Sequence, residues 1–260
     1  MRKSKISGVL VEFEGEPDTG TPPLLFVHGG VHGSWTWGNM MPWFAARGWA
    51  CAAMNWYGHH GSDPLPDPER VTRSITDVTR EIGIVAAHLG RAPVLVGHSM
   101  GGLACLAYAA RADLAALVLL APVVPAGFAK APVELPVDLT VMWNPPPPPI
   151  ARQLFFSGVS DEEADRYHQL LCPESPAAVW EATRWTAVVD ISTVRTPCYL
   201  MAAENDPLVP AGYVQGLAAA LAAPCVTLPG QGHGIPLDRG WDKAAVEIDG
   251  WLRTQFLNHV

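Results

Sequence analysis

Gly97-His98-Ser99-Met100-Gly101 decides how the rest of the chain is read. It follows the apolar run Pro93-Val94-Leu95-Val96 and opens into an Ala/Leu-rich stretch ending near Ala110. Strand, then Gly-x-Ser-x-Gly, then helix is the context of a nucleophile elbow. A turn this sharp forces the serine into strained backbone geometry, so small residues must stand two positions away on each side. The turn lifts the serine hydroxyl above the sheet edge. The helix beginning beside it directs free N–H groups and the positive end of its dipole at the same spot.

Outward from that turn, apolar runs alternate with helix-period segments, the pattern of a mostly parallel central sheet flanked by helices, an α/β fold. Strands are expected at Gly8–Phe13, Leu24–Val27, Ala50–Met54, Val94–Val96, Ala115–Leu120, Cys198–Met201 and Cys225–Leu228. Helices are expected near Trp35–Arg47, Val71–Leu89, Ser99–Arg111, Tyr213–Ala222 and Asp242–Leu257. In the second of these Ile75, Val78, Ile82, Val85 and Leu89 recur at helical spacing. Between Pro122 and Thr196 the rhythm breaks, with Pro125, Pro132, Pro136 and five consecutive prolines, Pro145–Pro149. Such a run suits neither a helix interior nor a central strand and should form a stiff extended wall. Helical pieces are expected at Arg152–Phe156, Asp161–Leu171 and Pro176–Val189. The aromatic and apolar residues Phe128, Met142, Trp143, Phe155, Phe156, Trp180 and Trp185 suit a cap better than a solvated loop. Residues 1–121 and 197–260 should therefore form the core, and residues 122–196 a cap inserted over the site.

Composition bounds the function. At 260 residues and 49% hydrophobic content, one α/β domain with an insertion fits better than two domains. A net charge of −8 without a basic patch argues against nucleic acid. No stretch approaches a membrane span, and the apolar run at the start is too short for a signal peptide. Five cysteines, an odd number mostly inside apolar segments, suggest reduced core residues and a cytoplasmic protein.

A serine hydroxyl needs a base, and imidazole suits that role because its ordinary pKa lies near neutrality. Of nine histidines, His233 stands out in the glycine-rich stretch Leu228-Pro-Gly-Gln-Gly-His-Gly-Ile235, directly after the last expected strand. His259 and the others lack such a setting. The imidazole in turn needs a carboxylate to hold its tautomer. Ala202-Ala-Glu-Asn-Asp-Pro-Leu-Val-Pro210 follows a strand and offers Asp206, with Glu204 in reserve. Asp113, Asp138 and Asp190 read as solvated or capping residues. Oxyanion donors are expected at the backbone N–H groups of Gly30, after strand Leu24–Val27, and Met100. The pocket is expected to involve His28, Val31, Met142, Trp143, Phe155 and Trp185, with His28 bracing its loop by hydrogen bonds. His28 and His32 stand four apart without a helix or a partner acid, and His59-His60 lies in a turn without further ligands. The glycine-rich stretches spell neither a dinucleotide fingerprint nor a P-loop. No metal and no organic cofactor is expected.

These motifs resemble the α/β-hydrolase superfamily along nearly the whole chain. Phe26-Val-His-Gly-Gly-Val-His-Gly-Ser-Trp-Thr-Trp37 is similar to the His-Gly-x-x-His-Gly-x-Trp-x-Trp opening of the plant methylesterase and hydroxynitrile lyase branch. Bacterial esterases and lysophospholipase-like members are similar there too. Tyr57-Gly-His-His-Gly-Ser62 resembles the Arg-Gly-x-Gly-x-Ser turn, with Tyr57 where arginine is usual. The chain order Ser99, Asp206, His233 is the superfamily's order of nucleophile, acid and base. The resemblance implies a serine hydrolase acting on an ester, lactone or thioester of a small to medium apolar substrate. Carbon–carbon hydrolysis, lyase or cofactor-free oxygenase chemistry and receptor-like binding use the same fold. Hydroxynitrile lyases carry a lysine beside the catalytic histidine, where this chain has Gly234. Serine at position 99 disfavours relatives with an aspartate nucleophile. The partner is expected to be a small molecule, with the exposed cap surface leaving a homodimer open.

Overall fold

The computed structural model describes residues 1–16 and 20–257. His259 lies outside them. Eight strands form one sheet: β1 (Arg2–Ile6), β2 (Val9–Glu14), β3 (Leu24–Val27), β4 (Cys51–Met54), β5 (Val94–His98), β6 (Ala116–Leu120), β7 (Cys198–Ala203) and β8 (Cys225–Leu228), in the order β1-β2-β4-β3-β5-β6-β7-β8. The pairs β1–β2 and β2–β4 are antiparallel and the rest are parallel. Every residue of β3, β4, β5 and β6 is buried. Continuous apolar runs such as Leu117-Val-Leu-Leu120 suit strands covered on both faces.

The covering helices are α1 (Met40–Ala45), α2 (Asp67–Thr72), α3 (Thr79–Leu89), α4 (Met100–Ala109), α5 (Pro148–Phe155), α6 (Asp161–His168), α7 (Pro176–Arg184), α8 (Ala211–Ala220) and α9 (Trp241–Phe256). Ile82 and Val85 of α3, Leu103 and Leu106 of α4, and Val214 and Leu217 of α8 pack one sheet face. Met40 and Phe44 of α1 and Ile248 and Leu252 of α9 pack the other. Among the described residues no helix is long and apolar enough to cross a membrane.

The structure departs from the sequence expectations in four places. Strand β1 was not expected, because Arg2-Lys-Ser-Lys-Ile6 has no apolar run. It is a charged edge strand, with Lys3 paired to Glu12 and Lys5 to Asp63, and charge is how natural sheets blunt an edge. The expected helix Trp35–Arg47 divides into a 3₁₀ turn at Ser34–Trp37 and α1. The expected helix Val71–Leu89 divides into α2, a 3₁₀ turn at Ile75–Val78, and α3. Ser74 starts the chain afresh there: its Oγ accepts from the Thr76 N–H at 3.1 Å, and Asp77 Oδ2 accepts from the Ser74 N–H at 2.8 Å. In the proline run, Pro148 and Pro149 occupy the first turn of α5, where a missing N–H has no partner to lose.

Between β6 and β7 the chain leaves the sheet through α5, α6 and α7. Phe155 and Phe156 join Ala151, Ala164 and Leu237 in a small core that also includes Val31. Trp143 and Glu174 form an isolated antiparallel bridge. Trp180 stays on the surface, with the Arg184 guanidinium 5.0 Å from its ring centre.

Candidate active site

Ser99 sits between β5 and α4 with φ 55° and ψ −123°, a region that L residues avoid. The surrounding backbone over-determines it: its N–H donates to Leu120 O at 3.1 Å, and its carbonyl accepts from Val123 N–H at 3.0 Å. The flanking glycines are required by crowding. A Cβ on Gly97 would stand 2.7 Å from Gly101 O, and one on Gly101 would stand 2.2 Å from His28 O. The strained elbow therefore follows from close approach of β3, β5 and α4.

His233 arrives on the loop after β8. His98 Nε2–H donates to His233 O at 2.8 Å, and Asp238 Oδ2 accepts from Gly232 N–H at 3.0 Å. Asn205 N–H donates to Gln231 O at 2.9 Å. Burial raises the Asp238 carboxyl pKa. With the ring so held, His233 Nε2 lies 2.9 Å from Ser99 Oγ, and Nδ1 lies 2.8 Å from Asp206 Oδ2. The other oxygen of Asp206, Oδ1, accepts from Leu208 N–H at 2.8 Å and Val209 N–H at 2.9 Å. Three side chains distant in sequence meet at the carboxyl edge of the sheet, where open α/β sheets bind their ligands. Glu204 lies apart and accepts from Gly230 N–H at 2.7 Å.

Ser99 and His233 open into a narrow, mostly apolar cleft of about 60 Å³. Gly30 and Met100 are on its wall, and so are Val31, Trp143, Phe155 and Trp185. Among the described residues, no protein group accepts a hydrogen bond from the N–H of Gly30 or Met100. Two expected pocket residues do not reach the cleft. His28 is buried beneath the loop, donating from Nδ1 to Gly29 O at 2.8 Å and accepting from Trp56 N–H at Nε2, 3.2 Å away. Both ring nitrogens are thus committed to bracing. Met142 lines a surface depression with Pro136 and Asn144, whereas Trp143 lines both that depression and the cleft.

The sequence reading missed His32, Glu174, Asp238 and much of the cleft wall. Val123, Val133, Leu135, Leu208 and Val209 come from scattered loop positions, and Val179, Ala182 and Thr183 from one face of α7. His32, the second histidine of the His-Gly-x-x-His-Gly stretch, also reaches the cleft and donates from Nδ1 to Gly30 O at 2.7 Å. Burial lowers its pKa to about 4, against a smaller opposing pull from that hydrogen bond, so the ring is neutral.

Fold and site together define an α/β protein with a strained serine, a histidine and a buried aspartate in hydrogen-bonded series. The chain belongs to the alpha/beta hydrolase family, whose model matches residues 24–246. Solved structures similar to it include a membrane phospholipase A described as a bacterial virulence factor, at 18% identity and TM-score 0.76, covering 98% of this chain and 86% of that one. A monoacylglycerol lipase from Paleococcus ferrophilus is similar at 20% identity and TM-score 0.73, covering 98% of this chain and 100% of that one. A putative aryl esterase from Burkholderia cenocepacia matches at 18% identity and TM-score 0.75, covering 98% and 99%. At such identities the likeness is one of fold. No curated protein matches the chain by sequence.

Proposed function

We propose that the protein is a serine hydrolase that cleaves a carboxylic ester, lactone or thioester of a small to medium apolar substrate. The observation that carries this reading is the unbroken series Ser99 Oγ, His233 Nε2, His233 Nδ1, Asp206 Oδ2, with steps of 2.9 and 2.8 Å. In the reaction Ser99 Oγ attacks the carbonyl carbon as His233 Nε2 takes its proton. The oxyanion accepts from the N–H groups of Gly30 and Met100, each such donor being worth roughly 3–4 kcal/mol of barrier. His233 then protonates the leaving oxygen or sulfur, and the acyl group stays on Ser99. Water, deprotonated by the same nitrogen, attacks the acyl-enzyme and releases the carboxylic acid. Asp206 accepts the Nδ1–H throughout and stabilises the imidazolium.

Residues 122–196 act as the cap in this reading, since Val133, Leu135, Trp143, Phe155, Val179 and Trp185 supply the apolar wall. A narrow apolar cleft suits a small to medium apolar substrate. Structural neighbours that include a thermophilic esterase and a thioesterase domain fit the same chemistry. A fluorophosphonate probe should label Ser99, and Ser99→Ala should abolish labelling. The same variant should lower kcat on p-nitrophenyl acetate by roughly 10⁴–10⁶. An unlabelled wild-type protein, or a Ser99→Ala variant that keeps its turnover, overturns the proposal and returns the site to proton-transfer or binding chemistry.

A further inference from the structure

Glu174 is a buried acid beside the cleft that the hydrolytic steps leave unused, at 2% exposure. Its Oε1 accepts from Ser175 N–H at 2.8 Å. Its Oε2 accepts from Val31 N–H at 3.0 Å and lies 3.1 Å from His59 Nε2, which serves as donor. Val31 follows Gly30 directly, and a Cβ on Gly30 would stand 3.5 Å from Glu174 Oε2. Val31 has φ 59°, a conformation a β-branched residue adopts only when its surroundings impose it. Both of its peptide groups are held from the same segment, because Cys172 N–H donates to Val31 O at 3.0 Å. The segment is itself fixed, since Glu174 and Trp143 exchange backbone hydrogen bonds of 2.9 Å in each direction.

We propose that Glu174, with His59 as its cationic partner, is a positioning residue that holds the Gly30–Val31 turn in the geometry that receives the oxyanion. The proposal rests on the hydrolase reading given above. A lone buried carboxylate beside a developing oxyanion would oppose the reaction, because like charges at short range repel strongly in a low-dielectric site. Protonated His59 cancels that charge while leaving both carboxylate oxygens free to accept. Burial alone would neutralise His59, but the charge of Glu174 and hydrogen bonds to Cys172 and Glu174 hold its pKa up to about 10. The same partnership lowers Glu174 against the opposing effect of burial. His28 and His60 also face His59, and Arg70 and Arg73 share a depression with the pair. The turn is thereby tied to the segment between β6 and β7, so oxyanion geometry depends on that segment being docked.

Glu174→Ala and Glu174→Gln should be compared with wild type in fluorophosphonate labelling of Ser99 and in hydrolysis of p-nitrophenyl acetate. Removing the clamp should slow phosphonylation and lower kcat by about 10²-fold, the order expected for loss of an oxyanion donor. KM should stay within about threefold, because the lost contact acts in the transition state. Gln keeps one acceptor oxygen and fills the same volume, so it should fall between Ala and wild type. A trifluoromethyl ketone, which mimics the tetrahedral oxyanion, should lose affinity in step with kcat, whereas the product acid should not. A folded variant that labels and turns over at the wild-type rate overturns the proposal, and so does a loss confined to KM. Should Ala not fold, the isosteric Gln variant decides by the same criteria. Failure of wild-type protein to label would instead defeat the hydrolase reading itself.

Discussion

Asp206→Asn isolates the orienting role of one buried carboxylate, because the local hydrogen bonds dictate which way the new amide must face. Asp206 Oδ1 accepts two backbone N–H groups, from Leu208 and Val209, and Oδ2 meets His233 Nδ1. An Asn placed with its oxygen on the Oδ1 side keeps both backbone bonds and presents its NH₂ to His233. Flipped, it would leave two N–H groups facing a donor, at about 1–3 kcal/mol for each lost acceptor. The unflipped form therefore wins, and its NH₂ forces His233 Nδ1 to accept. The ring proton then resides on Nε2, which can no longer take the proton from Ser99 Oγ. A wrong tautomer of this kind lowers kcat by roughly 10⁴, equivalent to about 5.5 kcal/mol of barrier.

The assay is steady-state hydrolysis of p-nitrophenyl acetate at neutral pH, with labelling of Ser99 as an independent rate. Since both backbone bonds survive in Asn, Tm should hardly change. Asp206→Ala should lower Tm as well, because Val209 is buried and its N–H loses its acceptor. An Asn variant with more than about a tenth of wild-type kcat and an unchanged Tm refutes the tautomer argument.

Gly101→Ala should destabilise the fold by more than ~3 kcal/mol in chemical denaturation, beyond ordinary overpacking, because its Cβ would stand 2.2 Å from His28 O and 2.5 Å from Val27 O. Gly216→Ala, inside α8 with nothing within 4 Å of the added Cβ, should instead stabilise by roughly 0.5–1 kcal/mol; equal effects at the two sites would contradict the packing described. Stability should peak near pH 6.5 in thermal-shift scans. His59, raised from 6.5 to about 10, contributes fully below pH 6.5 and loses that contribution as pH rises through 10. His32, lowered from 6.5 to about 4, contributes above pH 6.5 and loses it as pH falls toward 4. Between pH 6.5 and 9 the His59 slope should approach ~1.4 kcal/mol per pH unit and vanish in the Glu174→Gln/His59→Gln double variant; a flat wild-type profile there would exclude a charged pair. Val179→Phe should place a ring in the roughly 60 Å³ cleft and lower kcat/KM for p-nitrophenyl butyrate about tenfold or more, with acetate less affected.

The hydrogen-bonded series of Ser99, His233 and Asp206 was legible in the sequence because each part is local. An elbow needs a strand, flanking small residues and a helix in direct succession, all of which lie between Pro93 and Ala110. The strand-end loops carrying Asp206 and His233 are equally compact. Even where the expected helix Val71–Leu89 breaks at Ser74, the apolar period named the right face: Ile75, Val78, Ile82 and Val85 are all buried. The period survives because a 3₁₀ turn leads straight into α3, so the face continues although the helix does not.

The cleft wall was illegible for the converse reason. Val133 and Leu135 meet Val179 and Ala182 across more than forty residues, and each sits in a stretch whose pattern could face either way. Met142 and Trp143 are chain neighbours, yet Trp143 lines the cleft and Met142 does not, a difference that no local pattern announces. Glu174 illustrates the limit most sharply. A lone acid between two small hydrophobic stretches looks like surface until its neighbours are known, and its buried state depends on His59, 115 positions away. A buried carboxylate without a partner is strongly disfavoured in its charged form, and the partner of Glu174 is supplied by the tertiary fold. Groups carried by short strand-end motifs can therefore be found from the sequence, whereas the cleft wall and the Glu174–His59 pair are contacts between distant parts of the chain and are set by the tertiary fold.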